Sequence, residues 1–412
     1  MIGRRGFLRG AAFAGAAWMG HRAGFAQAGQ TVSTVGDSGT AIGAPAKGFY
    51  PYSGVSGPGH PLVPGSGSSG WHSGSAGVAY QGAFPPSFPT RPWLNYASGS
   101  AVKSGLLPPI LPLLDVHVRA TIVCLGGDGN YYMTGSTGDN IWAFNDGVEL
   151  WRSPDLKQWS YMGLVWSVEK DGTWERQWRT LHDLPSRAVW APEIHYVRGN
   201  YFICLSMAPS GTSVLKSRSG KPEGPYIHAF SPDRPVTGGI DATLFEDDDG
   251  VVYFTWGPAI KIARLKDDMS GFDGDFHSIV LADPDHTPAH HAEKCVARGM
   301  QDLGHEGATL FKANGKYYLG AADSYEGRYS TCLAMSDTIH GPYRDRHESV
   351  PCAGGTGFFK DKQNRWWTSY FGNDSQSPFL EKPAIVRIEF DSHGRVVVAK
   401  DQPFVPAPHV IA

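Results

Sequence analysis

A turn signature that recurs five times constrains the fold of this chain more than any other feature. Each copy places Gly or Asn two positions before a pair of aromatic or β-branched residues, as in Asp128-Gly129-Asn130-Tyr131-Tyr132. Asp-Gly and Asn-Gly are preferred in tight turns between antiparallel strands. The other copies are Arg198-Gly199-Asn200-Tyr201-Phe202, Asp249-Gly250-Val251-Val252-Tyr253, Asn314-Gly315-Lys316-Tyr317-Tyr318 and Gln363-Asn364-Arg365-Trp366-Trp367.

The spacing of these turns predicts an all-β, five-bladed β-propeller. A short apolar run precedes each turn and a second strand follows it, so each unit of about 50 to 70 residues has room for three or four strands. High glycine and proline contents, 52 and 30 of 412 residues, favour many short strands. A β-sandwich with accidental internal similarity is the alternative.

The N-terminal quarter lies outside the repeat. Arg4-Arg5, an apolar stretch and Ala26-Gln27-Ala28 predict a twin-arginine signal peptide over residues 1–28, and hence a periplasmic or secreted protein. Residues 29–105 form a Gly/Ser/Pro-rich segment, in which these three residue types occupy 35 of positions 31–100. It is interpreted as an extended arm on the main domain or as a free linker. The propeller is assigned to residues 106–412.

Charge and composition exclude several classes of partner. The net charge is −3, with 36 basic and 39 acidic residues, so a nucleic-acid partner is not expected. No apolar run reaches the length of a transmembrane helix. The five cysteines are scattered and do not indicate a disulfide framework. The oligomeric state is left open.

Positions nine residues before each turn should be equivalent, because the innermost strand of every blade starts near the central axis. These positions are Ala120, Trp190, Asp241, Glu306 and Gly355. Asp241 and Glu306 directly precede apolar strands, where an ionised side chain is costly unless it is paired or used. We therefore expect a functional carboxylate pair, the alternative being that each caps a loop amide.

Several stretches around these positions resemble glycoside hydrolase family 43, the five-bladed propellers that cleave arabinose- and xylose-containing glycans. The stretches are Val189-Trp190-Ala191-Pro192-Glu193-Ile194, Gly239-Ile240-Asp241-Ala242-Thr243-Leu244-Phe245, His305-Glu306-Gly307-Ala308, Ser153–Trp159 and the Gly-Pro-Tyr endings at 224–226 and 341–343. The resemblance covers about residues 110–400. Their order and spacing are more specific than any one motif.

The resemblance implies an inverting site with three acidic residues. Glu306 matches the general acid, and Asp241 matches the residue that tunes and orients it. The general base would come from the first blade, where this chain has Ala120. Asp115 and His117 are the candidates for a relocated base, with Glu193 and His305 as further options. Asp115, His117 and Arg119 alternate along one face, where His117 and Arg119 would also bind the sugar. Alternatively, Asp115 and Arg119 pair with each other and close the ring.

Three further residues are expected to contact a sugar: Trp190 as a stacking platform, Glu193 and His305. Relatives usually carry a Gly-His step in the fifth blade near an axial ion, but this chain has Gly354-Gly355-Thr356-Gly357. An axial calcium is therefore unsupported, and no metal or cofactor is predicted. A tryptophan-rich loop at 166–182 is expected at the rim of the pocket, or against the arm.

The predicted function is a secreted glycoside hydrolase that removes terminal arabinofuranosyl, xylosyl or galactofuranosyl residues from an oligosaccharide or polysaccharide. The alternative is a non-catalytic carbohydrate-binding propeller that has lost the general base. A protein-interaction propeller is a third possibility, disfavoured by the retained Asp241 and Glu306.

Overall fold

The computed structural model describes residues 100–137, 144–181, 184–207, 211–282, 303–304, 306–374 and 376–402. The predicted signal peptide and nearly all of the predicted arm therefore lie outside the described residues, so both stay predictions. His305 also lies outside them.

Five four-stranded antiparallel sheets build the domain, and the strands of each sheet follow one another in sequence. The prediction of a five-bladed β-propeller is confirmed. Blade 1 contains β1 (Val118–Leu125), β2 (Tyr131–Thr137), β3 (Gly147–Ser153) and β4 (Ser160–Ser167). Blade 2 contains β7 (Val189–Val197), β8 (Asn200–Met207), β9 (Thr212–Ser217) and β10 (Tyr226–His228). Blade 3 contains β11 (Ile240–Glu246), β12 (Val252–Gly257), β13 (Lys261–Arg264) and β14 (His277–Ser278). Blade 4 contains β15 (Glu306–Ala313), β16 (Lys316–Tyr325), β17 (Arg328–Ser336) and β18 (Arg344–Val350). Blade 5 contains β19 (Phe358–Lys360), β20 (Trp366–Tyr370), β21 (Ala384–Phe390) and β22 (Val396–Val398).

In the described part of the chain, two short helices and one extra hairpin accompany the blades. Helix α1 covers Ser100–Lys103 and α2 covers Val168–Asp171. The hairpin of β5 (Arg179–Leu181) and β6 (Leu184–Ser186) follows a 3-10 turn at Trp174–Arg176, between blades 1 and 2. Within the described ranges no helix is long and apolar enough to span a membrane.

The hydrophobic core is divided among the seams between neighbouring blades. One cluster joins blades 1 and 2 through residues such as Leu150 and Leu205, and another joins blades 5 and 1 through residues such as Trp151 and Trp367. Because each fully buried large apolar side chain contributes about 1.5–3 kcal/mol, every blade depends on both of its neighbours for stability. The inner strands β1, β7, β11, β15 and β19 contact one another around the axis.

The ring is closed by chain that precedes blade 1. Leu113 N–H donates to the carbonyl of Pro383 at 2.7 Å, and Val118 N–H donates to the carbonyl of Glu381 at 3.1 Å. These bonds join the entry of β1 to the residues just before β21. The last blade is thereby attached to the first by main-chain hydrogen bonds as well as by packing.

A β-bulge interrupts each of the first four inner strands close to its start. The bulge residues adopt a left-handed backbone, which costs an ordinary L-residue about 1–2 kcal/mol. Gly355, just before β19, has the same conformation. The five φ values are 49° at Ala120, 41° at Ala191, 54° at Asp241, 65° at Gly307 and 65° at Gly355.

Hydrogen bonds link successive bulges around the axis. Ser136 Oγ in blade 1 accepts from the N–H of Ala191 at 2.7 Å, and Ser206 Oγ in blade 2 accepts from the N–H of Asp241 at 2.8 Å. In the next step the carboxylate of Asp241 accepts from the N–H of Gly307 at 2.7 Å. This ladder fixes the inner ends of blades 1, 2, 3 and 4 relative to one another.

Candidate functional site

A narrow pocket opens on the axis at the starting ends of the inner strands. It encloses about 60 Å³, and its polar lining includes Asp241, Glu306 and Arg119. Aromatic side chains and small residues complete the lining: Trp190, Tyr329, Phe371, Ala120, Ala191, Gly354 and Gly355, together with Ser136 and Ile240. The pocket therefore draws on all five blades.

The structure brings Asp241 and Glu306 into this one pocket, although they occupy different positions in their strands. Asp241 is itself the bulge residue, whereas Glu306 immediately precedes the bulge at Gly307. The cause is hairpin length. In blade 4 the strand pair ends at Ala313↔Lys316, whereas in blade 3 it ends at Glu246↔Val252. Because the turn is shorter in blade 4, the bulge lies one residue closer in sequence to the turn glycine than it does in blade 3. Trp190 in blade 2 precedes the bulge at Ala191 for the same reason.

Asp241 is a partly buried carboxylate whose surroundings favour its neutral form. Burial is the main cause and the nearby charge of Glu306 the second, and with a smaller contribution from Glu193 they raise the pKa of Asp241 to about 7. The hydrogen bond from Gly307 N–H and the charge of Arg119 oppose this shift. Asp241 can therefore exchange a proton near neutral pH.

Glu306 is held by a residue that the sequence analysis did not identify. Tyr329, on β17, donates its hydroxyl hydrogen to Oε1 of Glu306. Burial and the charge of Glu306 raise the pKa of Tyr329 well above its ordinary value, so the phenol remains protonated. The offset from the first hairpin turn of a blade does not reach its third strand. Only its place two residues after Glu326-Gly327, the turn between β16 and β17, could have marked Tyr329.

Arg119 and Trp190 lie in the pocket wall, where the sequence analysis expects substrate-binding residues. Arg119 forms an ion pair with Glu381 at 3.3 Å and its guanidinium lies 5.6 Å from the centre of the Phe371 ring. Phe371, from the fifth blade, was not predicted. The arginine is thus positioned from two sides while it lines the pocket.

Asp115 and His117 are not among the residues that line this pocket. Asp115 forms a largely buried ion pair with Lys382, next to the Arg119–Glu381 pair. Burial, and secondarily the charge of Lys382, lower the pKa of His117 to about 4. Asp115 and Arg119 thus do connect blade 1 to the closing segment, but through partners in blade 5 and not through each other.

Glu193 lines a second cavity further along the axis, of about 320 Å³. This cavity lies towards the hairpin ends of the inner strands, with Thr243 and Thr309 also in its wall. Glu193 Oε2 is 3.1 Å from Nε2 of His195. Its influence on the pocket is electrostatic, through Asp241.

The tryptophan-rich loop is mostly part of the core. Trp166 and Trp174 are buried between blades 1 and 2. Trp178 stacks on Phe144 with 5.8 Å between ring centres, and the guanidinium of Arg187 lies over it at 4.8 Å. None of these side chains lines the described pocket, so the expected rim is not formed by them.

Comparison with known proteins identifies the family. Residues 111–396 match the model described as Glycosyl hydrolases family 43. The chain belongs to that family. Two similar proteins are a beta-D-galactofuranosidase from Aspergillus niger, 28% identical over 224 residues, and an extracellular endo-alpha-(1->5)-L-arabinanase from Bacillus subtilis, 25% identical over 246 residues. The alignments cover 49% and 55% of this chain, and 56% and 69% of those proteins.

The solved structures support the same fold. A GH43_1 enzyme from Xanthomonas citri, complexed with xylose, superposes with a TM-score of 0.56 at 18% identity, covering 76% of this chain and 99% of that one. Because the matched part spans little more than half of the galactofuranosidase, the substrate of this family 43 chain has to be argued from its own pocket.

Ala120 is the bulge residue of blade 1 and lines the pocket directly. The sequence analysis expects the general base at this position, where this chain has a methyl group. In the described part of the chain, Asp241 and Glu306 are the only carboxylates in the pocket lining. Among its described residues, the first blade contributes a guanidinium to the pocket lining, from Arg119, and no carboxylate.

An axial ion held by a fifth-blade histidine does not fit these residues. The position is occupied by Gly354, Gly355 and Thr356, and the hydroxyl of Thr356 is 2.9 Å from that of Thr331. Among the described residues no group of three or more His, Cys, Asp or Glu side chains converges as a metal site. No step of the chemistry below is assigned to a metal.

Proposed function

We propose that this family 43 chain hydrolyses glycosidic bonds and releases a terminal sugar, with inversion at the anomeric carbon. The observation that carries the proposal is the convergence of Asp241 and Glu306 in one narrow axial pocket with aromatic walls. A pocket at the centre of a ring accepts the end of a glycan more readily than its middle. Aromatic rings such as Trp190 suit the apolar faces of a sugar.

In this mechanism Glu306 donates a proton to the leaving oxygen while water attacks the opposite face of the sugar. The attacking water releases one proton to solvent, and the Glu306 carboxylate takes one back from solvent before the next cycle. Asp241 stays next to Glu306 through two hydrogen bonds. Its main-chain N–H donates to Oγ of Ser206, and its carboxylate accepts from the N–H of Gly307. Since the pKa of Asp241 is raised to about 7, its carboxyl group can both accept and release a proton at neutral pH during turnover. Attack by water is unassisted at Ala120, so we expect slow hydrolysis.

The substrate class that we propose is a terminal arabinofuranosyl, xylosyl or galactofuranosyl residue. Similarity to a galactofuranosidase and to an arabinanase supports the galactofuranosyl and arabinofuranosyl members of this class without selecting between them. Because an exported enzyme meets glycans outside the cytoplasm, the twin-arginine signal predicted over residues 1–28 is consistent with it.

Glu306→Gln tests the proposal on a panel of oligosaccharides and nitrophenyl glycosides of these sugars. Loss of the general acid should reduce kcat on the responsive oligosaccharides by about 10²–10⁴-fold. Glu326→Gln, at an exposed turn of the same blade, is the matched control and should retain full activity. Unchanged turnover of every responsive substrate by Glu306→Gln would refute the assignment.

The alternative function is carbohydrate binding without hydrolysis, and Ala120 is the observation that favours it. If the protein only binds carbohydrate, both the wild type and Glu306→Gln should bind glycans of the panel in calorimetry, and neither should release product. Product release that depends on Glu306 rules it out.

A further inference from the structure

We infer that Tyr329 is a positioning residue for the general acid, fixing which oxygen of Glu306 delivers the proton. The inference rests on the proposed function. It starts from one contact, the hydrogen bond from the Tyr329 hydroxyl to Oε1 of Glu306. Among the described residues this is the hydrogen bond that the Glu306 carboxylate receives, so Oε2 is left for the leaving group.

Tyr329 is itself held tightly, which is what a positioning residue requires. Its main-chain N–H donates to Oδ2 of Asp374 at 3.0 Å, and β17 pairs it with Ser324. Its ring lies directly against Gly354. A Cβ added at Gly354 would lie 2.3 Å from Cε1 of Tyr329, far inside van der Waals contact. The glycine therefore keeps open the space that the ring fills.

The phenol is suited to both states of the acid. Burial and the charge of Glu306 raise the pKa of Tyr329 well above its ordinary value, so it donates a hydrogen bond throughout the working pH range. Before proton transfer it prevents the carboxyl group from rotating, which keeps the acidic proton on Oε2. After transfer it stabilises the new carboxylate through a charge-assisted hydrogen bond.

This role has a signature that a purely structural tyrosine lacks. An acid catalyst matters for a leaving group that needs protonation, such as a sugar alcohol, and matters little for dinitrophenolate, which departs as an anion. A defect in placing the proton should follow the same pattern. A general loosening of the pocket should instead impair both substrate types, because both depend on binding in the same place.

The experiment compares Tyr329→Phe with the wild type on an oligosaccharide and on the dinitrophenyl glycoside of the same sugar. We expect kcat on the oligosaccharide to fall by about 10–100-fold, with less than about a 3-fold change on the activated glycoside. The basic limb of the oligosaccharide pH profile should move to higher pH, because the ionised acid has lost a donor. Each measurement is repeated in an Ala120→Asp background, so that slow wild-type turnover does not limit it.

Two further variants make the outcome decisive. Tyr343→Phe removes a buried hydroxyl of the same blade that donates to the carbonyl of Ile339 at 2.9 Å, outside the pocket, and should leave both activities unchanged. Replacing Tyr329 by 3-fluorotyrosine keeps the shape but strengthens the donor, and should move the basic limb to lower pH.

Equal losses on both substrates, or an unmoved pH profile in both Tyr329 variants, would overturn the inference. If Glu306→Gln shows the leaving-group pattern and Tyr329→Phe does not, the inference fails while the proposed function stands. If Glu306→Gln changes neither substrate, the proposed function itself fails.

Discussion

Replacing Ala120 by aspartate should raise the rate of glycoside hydrolysis. The backbone already accommodates this residue type: Ala120 has φ 49°, and Asp241 occupies the equivalent bulge of blade 3 with φ 54°. Aspartate is tolerated in the left-handed region better than alanine, so the substitution should not strain the strand. The new carboxylate would project into the pocket from the wall that Arg119 and Ala120 now form.

The size of the gain in kcat follows from the contribution of a general base, which a methyl group at Ala120 cannot make. A positioned general base typically contributes about 10²–10⁴-fold. In this pocket the charge of Asp241 would oppose ionisation of the new acid, while Arg119, on the adjacent residue, would favour it. Because the two effects partly cancel, we expect kcat on the responsive glycoside to rise by about 10²–10³-fold, near the lower part of that range.

The assay is initial-rate hydrolysis of the glycoside panel by wild type, Ala120→Asp and Ala120→Asn. The asparagine variant matches aspartate in shape and backbone preference but is not a base, so it should remain at the wild-type rate. An Ala120→Asp protein that melts like the wild type and gains nothing would refute the idea that this position lacks the base. A gain shared by Ala120→Asn would refute it equally.

Three further outcomes are expected. Asp241→Asn should raise the melting temperature above pH 7 and have no effect below about pH 4, because ionising a group whose pKa rises from 3.8 unfolded to about 7 folded costs stability as the pH increases through that window. Asp323→Ala should lower the free energy of unfolding in urea by about 3–5 kcal/mol, since it leaves the buried guanidinium of Arg346, now 2.8 Å from that carboxylate, without its counter-charge. Gly354→Ala should reduce oligosaccharide hydrolysis while sparing an activated glycoside, because the added methyl displaces the Tyr329 ring; equal effects on both substrates would contradict this.

The five blades were predictable because the hairpin turns depend on local chemistry that the sequence displays directly. Asp241 and Glu306 were predictable for a related reason: a fixed distance from a turn reaches the axis in every blade. That distance changes by one residue where the turn shortens, as between Glu246↔Val252 and Ala313↔Lys316. The offset is therefore accurate enough to find the pocket but not to assign equivalent positions within it.

The remaining site residues depend on contacts between blades, which no local pattern records. Tyr329 and Phe371 reach the pocket from β17 and from the chain after β20. Asp115 could be expected near the axis from its place before β1, yet its partner Lys382 lies 267 positions away in the sequence. A relocated base was thus a reasonable expectation from sequence, and the ion pair that occupies Asp115 is visible only in three dimensions.

The bond between the segment before β1 and the segment before β21 determines the order in which the protein can mature. Leu113 and Val118 are synthesised before any blade is complete, but the carbonyls that they bind, at Pro383 and Glu381, follow only after four blades. Nascent chains that already contain both acids consequently still lack the wall supplied by Phe371 and the partner of Arg119. The complete pocket lining is thus available only after the fifth blade has been synthesised.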